Sequence, residues 1–344
     1  MSKHEEARQT MRRFTRITGF CLMLTLFAGL MSLPTAAATR LKFSTQGLGT
    51  SMYVYASTIA QIAEKYLPAG YAIDIETTGG GINGPMLVGA KKADIALANS
   101  APANWVMNGE ILGRPPAPGF RAIVGGMDRP FVVVIFTEQF VKKSGITSLE
   151  EIAARKYPVR VAIKTKGMLG EAAGEQILKA VGASYENIKS WGGSVTHAGS
   201  PEIVSMLRDN RADITIDHIP AGQASIGELS LTTAIRFIAI SEKVRNELVK
   251  LGWEKTVMPK DTWSKQPEDK PTLSSSVVVV VREDLPADVA YALTKAICEN
   301  KKTLVEAHAS IQPFDPRTAW ELEKCGVPLH PAAEKYYKDV GFMK

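Results

Sequence analysis

The hydrophobic pattern of this chain changes period again and again. Leu41-Lys42-Phe43-Ser44-Thr45 alternates as a short strand, and a glycine-rich turn, Gly47-Leu48-Gly49-Thr50-Ser51, follows it. Across 53–66 the residues Val54, Ile59, Ile62, Ala63 and Tyr66 recur at helical spacing. Ala72 to Glu76 alternates again. Then comes TTGGGINGPMLVGAKKADIALANS, residues 77–100: a glycine turn, a helix over about 82–91 and a strand over 94–98. Residues 131–136 form an apolar run with no polar break, as expected of a strand buried on both faces. Strands alternating with helices at this spacing predict βαβ units, a largely parallel sheet and an α/β fold class.

A second series of the same kind begins after Gly145. It predicts a strand over 159–163, a turn over 164–170, a helix over 171–181, a helix opened by Ser200-Pro201, and a strand over 212–217. MLVGAKKADIALANS and SMLRDNRADITIDHI both place a Met-Leu helix end, a basic residue and Ala-Asp-Ile before a strand. Two lobes built alike would produce such a repeat. The five valines of 277–281 predict a late buried strand that returns the chain to the first lobe.

Composition narrows the class. The chain has 344 residues, enough for two cores, and is 45% hydrophobic and 22% charged, as soluble globular proteins are. Arg12, Arg13 and Arg16 precede an apolar run from Ile17 to Leu33, and Ala36-Ala37-Ala38 follows. That order describes a secretory leader over 1–38, cut near Ala38, and an extracytoplasmic protein. Polar residues and glycines interrupt the run, so it makes a poor membrane span. The leader holds five of the basic residues and two acidic ones, so the net charge of +6 falls to about +3 without it. No clustered basic stripe remains, which argues against nucleic acid. Cys298 and Cys325 could form a disulfide or stand as separate buried thiols. The histidines are scattered and no CxxC spacing occurs, so neither a metal nor a cofactor is expected.

Bare backbone at a helix start is a chemical resource. Free N–H groups and the helix dipole there favour a carboxylate or phosphate, and ligands of open α/β sheets sit beyond the carboxyl ends of the strands. The glycine spacing is neither GxGxxG nor GxxxxGK[ST], so a nucleotide is disfavoured. No GxSxG or HExxH appears, so an exported enzyme ranks below a binding protein.

Four stretches carry a family resemblance: STQGLGTSMYVYASTIAQI, the 76–100 segment, FRAIVGGMDRPFVVVI and CGVPLHPAAEKYYKDVGF. Over roughly 40–343 the chain resembles the TAXI-type solute-binding proteins of tripartite ATP-independent periplasmic (TRAP) transporters. The resemblance implies a two-lobed, type II periplasmic-binding-protein-like fold with hinge strands. Lobe I would take 39–136 plus 276–344 and lobe II 137–275, closing about strands near Ile135 and Val279. It implies a monomer that captures a small carboxylate and delivers it to TRAP permease subunits. A sensor presenting its ligand to a membrane kinase would share the fold.

By similarity the ligand contacts are Gly49, Thr50, Ser51, Tyr53, Thr78, Gly79, Gly80, Asn83, Asn99 and Ser100. The first loop departs from the family's usual glycine-rich form, so ligand identity does not carry over. In lobe II, Lys164 and Lys166 stand where relatives tend to show a Gly/Ser-rich turn. Either could clamp a second acidic group, making the ligand a dicarboxylate or an acidic amino acid, or both could be solvated. Asp217 could receive an ammonium or hydroxyl, or cap a turn. His197, His218, Trp105 and Trp191 could line the pocket or pack elsewhere. The C-terminal Pro-Leu-His-Pro…Tyr-Tyr segment should dock the tail on the first lobe.

Overall fold

Two five-stranded sheets, each covered by helices, carry the chain. The computed structural model describes residues 38–48, 50–78, 81–109 and 115–344. The leader expected over 1–38 therefore lies outside the described residues, except for Ala38. Among the described residues no helix is long and apolar enough to cross a membrane.

The elements that position the site run in chain order as follows. β1 (Thr39–Ser44), α1 (Ser51–Ala63), β2 (Tyr71–Glu76), α2 (Asn83–Gly89), β3 (Ile95–Asn99), α3 (Ser100–Asn108) and β4 (Phe120–Val124) belong to the first half. β5 (Phe131–Thr137), β6 (Arg160–Lys164), α4 (Leu169–Ala180), β7 (Ser194–Ala198), α5 (Ser200–Arg208), β8 (Ile214–Ile219) and β9 (Ile235–Ile238) build the second. The hairpin β10 (Glu254–Met258) and β11 (Lys270–Ser274) leads to β12 (Val277–Arg282), then α6 (Ala287–Glu299) and α7 (Pro331–Asp339).

The strand orders are β2-β1-β3-β12-β4 and β7-β6-β8-β5-β9. They are the same pattern twice. β3 and β8 hold equivalent places, and these are the strands that end the Ala-Asp-Ile repeat. The repeat has a shared structural task. The Asp94 carboxylate accepts the Lys42 N–H of β1 at 2.8 Å, and the Asp213 carboxylate accepts the Arg160 N–H of β6 at 2.8 Å. In each lobe one aspartate pins the start of the central strand to its neighbour.

The sheets are mixed, not largely parallel. β12 runs antiparallel to β3 and β4, and β5 antiparallel to β8 and β9. Both odd strands enter from the opposite lobe, so neither needs the helical crossover that parallel pairing demands. Strand pairing also puts residues 131–137 in the second sheet, whereas the sequence had assigned them to the end of lobe I. A strand buried on both faces reads alike in any sheet, so its neighbours were not legible. The chain crosses at 125–130 and 274–276, not around Ile135 and Val279, which sit within β5 and β12. The crossings are tied together: Met127 N–H donates to Val277 O at 3.0 Å and Ser274 Oγ to Pro130 O at 2.8 Å.

The valine run explains itself in packing. Val277, Val279 and Val281 face the core built with α1 and α6, while Val278 and Val280 face a second layer with Val88, Ala103 and Val106. The tail docks on the first sheet as expected. Ala122 N–H donates to Pro328 O and His330 N–H to Ala122 O, at 3.0 and 2.8 Å, and Tyr337 Oη donates to Ile123 O at 2.9 Å.

Helix α3 is the exception to lobe bookkeeping. It follows β3 of the first sheet, yet Ala101 and Trp105 lie in the core of the second lobe. Trp105 sits 5.8 Å from the Trp253 ring and donates its Nε1–H to Leu251 O at 2.5 Å.

Cys298 and Cys325 are free and buried in different core clusters. Each sulfur has its own hydroxyl or carbonyl partner, Tyr337 Oη and Ala319 O respectively. Burial pushes the Cys298 thiol up to about 12, and that of Cys325 up as well. A thiol reagent at neutral pH should leave both untouched in the native protein. Both should react together once denaturant unfolds it, which a colorimetric thiol titration reads directly.

Candidate functional site

The carboxyl ends of β1, β3, β6 and β8 all open on one cavity of about 740 Å³. Residues from both sheets line it. From the first come Gln46, Thr50, Ser51, Tyr55, Asn83 and Asn99, and from the second Lys164, Gly170, Asp217 and His218. Asp128 and Pro130 of one crossing and Val277 beside the other complete the wall.

Two helix starts reach it. Thr50 is the N-cap of α1 and its Oγ1 accepts the Tyr53 N–H at 3.2 Å. The N–H groups of Ser51 and Met52 have no protein partner among the described residues, as the first turn of a helix dictates. Across the cavity Met168 caps α4 without a side-chain hydrogen bond, and the N–H groups of Leu169 and Gly170 are likewise free. A Cβ at Gly170 would collide with Asp217 Oδ1, so any larger residue there must displace that carboxylate. Gly81, at a φ of +68°, bridges to Ala98 and brings the start of α2 against β3.

The charged groups are few. Lys164 Nζ lies 3.2 Å from Asp217 Oδ2 and also donates to Ser200 Oγ. Asp217 additionally accepts the His218 N–H at 2.8 Å. Burial pushes the Asp217 carboxyl up to about 6, against the pull of Lys164. Burial pulls His218 down to about 4, so its ring is neutral at pH 7. Its Nε2 has no partner among the described residues. Asp128 is pushed up to about 7 by burial, with Val277 N–H donating to Oδ1 at 2.8 Å.

The sequence-derived contacts divide cleanly. Thr50, Ser51, Asn83, Asn99, Lys164 and Asp217 line the cavity. Gly49, Gly79 and Gly80 lie outside the described residues. Tyr53 is not among the lining residues; Tyr55, two positions on, is. The same holds for Thr78, whose hydroxyl pairs with Ser44 Oγ at 2.7 Å, while Thr77 takes the lining position. Ser100 is fully buried and its hydroxyl donates to Glu254 Oε1 at 2.6 Å. Lys166 is exposed and does not line the cavity. His197 sits 3.4 Å from Glu171 and is not a lining residue, whereas His218 is.

The sequence missed Asp128 as a site residue. Its one signal is position: it follows Gly125-Gly126 and precedes the long apolar run, so it falls where the chain leaves one sheet for the other.

A carboxyl whose folded value is raised holds its proton more tightly in the folded state. That contribution to stability is complete below the ordinary value near 3.8 and is lost as pH rises through about 7. His218 acts oppositely: its contribution is present above 6.5 and lost as pH falls toward about 4. Comparing Asp128→Asn with the parent protein isolates the first effect. From about pH 4 to about pH 8 the variant should gain on the parent by up to about 4 kcal/mol, read from urea unfolding curves.

A family model matches residues 43–341. The chain belongs to the NMT1-like family. Solved structures similar to this NMT1-like chain include MatC from Rhodopseudomonas palustris with bound malate. It shares 12% identity over 89% of this chain and 98% of its own, with a TM-score of 0.49. A TctC solute binding protein from Polaromonas shares 14% identity over 90% and 99%, with a TM-score of 0.47. The periplasmic aliphatic sulphonate binding protein SsuA from Escherichia coli shares 11% identity over 87% and 78%, with a TM-score of 0.45.

Proposed function

We propose that this chain is an extracytoplasmic solute-binding protein of the TAXI type. It captures a small carboxylate, a dicarboxylate or an acidic amino acid, between its two lobes and hands it to the permease subunits of a TRAP transporter. One observation carries the reading. A single cavity collects the free N–H groups at the starts of α1 and α4, one from each lobe, at the carboxyl ends of both sheets. Such N–H groups favour a carboxylate without a counter-ion of their own. Drawing the lobes together would exclude water and strengthen every polar contact to the ligand. The ligand biases the open and closed forms only by its differential affinity for them. Delivery to a membrane partner fits the export leader read from the sequence.

The test is thermal shift of the mature chain against a panel of carboxylates. A ligand should raise the melting temperature, and the rise should grow with concentration as mass action requires. Lys166→Ala should leave the affinity for that ligand unchanged, because Lys166 stands outside the cavity wall. Lys164→Ala, which removes a cation from the wall, should weaken binding of any ligand whose second acidic group reaches it. A panel in which no carboxylate shifts the melt would end this reading.

A further inference from the structure

We propose that Asp128 receives an ammonium group of the ligand, so the cavity takes amino acids in preference to carboxylates that lack an amine. This rests on the carboxylate reading above and narrows it.

Charge balance in the cavity wall favours a ligand with an amine. The charged side chains in the cavity wall are Lys164, Asp217 and Asp128. The first two cancel within the protein, since Lys164 Nζ is held by Asp217 and Ser200. Asp217 also accepts the His218 N–H. Asp128 has no such partner. Among the described residues no lysine, arginine or histidine lies within ion-pair distance of it. What it has are neutral donors: the Val277 N–H at 2.8 Å and the Tyr55 hydroxyl, whose oxygen also meets Ser310. Ionised Asp128 is thus the uncompensated charge of the wall. A dicarboxylate would add negative charge against it. A zwitterion would set its carboxylate on the free N–H groups of the helix starts and its ammonium on Asp128, leaving the cavity neutral. A desolvated carboxylate is a strong acceptor for such a group.

The position adds a mechanical consequence. Asp128 lies on one crossing and grips Val277 beside the other. An ammonium bound there sits on the hinge itself.

Protons are linked to this contact. The charged or titratable groups around Asp128 are Tyr55 of α1, Glu254 of β10 and its own neighbour Arg129. Lys255, Asp315, Glu323 and Lys324 share with it a second cavity of about 490 Å³. Across the binding cavity stand Lys164, Asp217 and His218. Below about pH 7 Asp128 holds a proton that an arriving ammonium displaces.

The experiment is calorimetric titration of the mature protein with matched pairs that differ only by the amine: L-glutamate against glutarate, and L-leucine against 4-methylpentanoate. The amino acid of a pair that binds should be tighter by about tenfold or more, the worth of one charge-assisted hydrogen bond. At about pH 5.5, titrations in buffers of different ionisation heat should show up to one proton released per ligand, vanishing at about pH 8.5. Asp128→Asn, which keeps an acceptor for the Val277 N–H, should lose both the preference and the proton release. A far-ultraviolet spectrum and melting curve like the parent's would show that it folds. Equal or tighter binding of the deaminated acids, with no proton release from the parent protein, overturns the ammonium site while leaving the carboxylate reading intact. Failure of both members of both pairs to bind removes the carboxylate reading for these ligands and the ammonium site with it.

Discussion

Trp105→Ala should lower the unfolding free energy by about 3–5 kcal/mol, the usual cost of emptying a fully buried tryptophan site. Trp105 is only 1% exposed. Its ring packs against Trp253 within the core cluster of the second lobe, and its Nε1–H satisfies the Leu251 carbonyl. Alanine leaves a void that rigid neighbours cannot fill, and it strands that carbonyl. The loss should also reach the hinge. The first residues of α3 hold the 274–276 crossing: Ser100 N–H donates to Ser276 O, and Ala101 N–H to Ser275 Oγ. Trp105→Phe keeps most of the volume and should cost markedly less. Urea unfolding of the three proteins, at equal slope, checks the ranking. A loss under about 1 kcal/mol for the alanine variant would show that α3 is not anchored in the second lobe.

Asp217→Ala should be nearly as damaging, by about 3–5 kcal/mol, because it leaves Lys164 buried without its counter-charge. The side chains of the pair are 14% and 6% exposed, so water can do little for the survivor. The double replacement Lys164→Met with Asp217→Leu should recover most of that loss, since a well-packed apolar pair of similar size often equals a buried ion pair. The contrast between single and double variants is the decisive measurement. If the double variant is as unstable as the single one, the ion pair is not what Asp217 contributes. Ligand affinity should fall in the double variant only for ligands that reach Lys164.

Much of this was open to reading in the chain itself. The period changes of the first hundred residues placed β1, α1, β2, α2 and β3 to within a few residues, because the turns between them are marked by glycine and polar residues. The five valines announced a strand covered on both sides, and the Ala-Asp-Ile repeat announced two lobes. Its aspartates turned out to do the same task twice. What stayed hidden depended on pairing across long stretches of chain. Lys164 and Asp217 were both singled out, yet nothing in their spacing says that they meet each other. Trp105 of α3 stood between pocket and core in the sequence, and the lobe it joins depends on how that helix leans. Asp128 follows two glycines and looks like an ordinary turn acid. Only the convergence of both crossings turns it into part of the cavity wall. Tyr55 and Thr77 were each missed by a small offset, with Tyr53 and Thr78 named in their place, since the neighbour that faces a site depends on a twist that spacing alone does not set.

The double crossing has a consequence for how the chain is made. Residues 131–274 form one lobe without interruption, so every partner it needs from its own sheet emerges together. The other lobe is split: β12, the helix that covers it and the tyrosines of the tail arrive only after the inserted lobe has been made. Its open sheet edge must wait for a long loop to close, a slow and entropically costly step. The inserted lobe should therefore acquire protection first, and an incomplete chain should expose the unfinished edge beside β3, where a chaperone would find it.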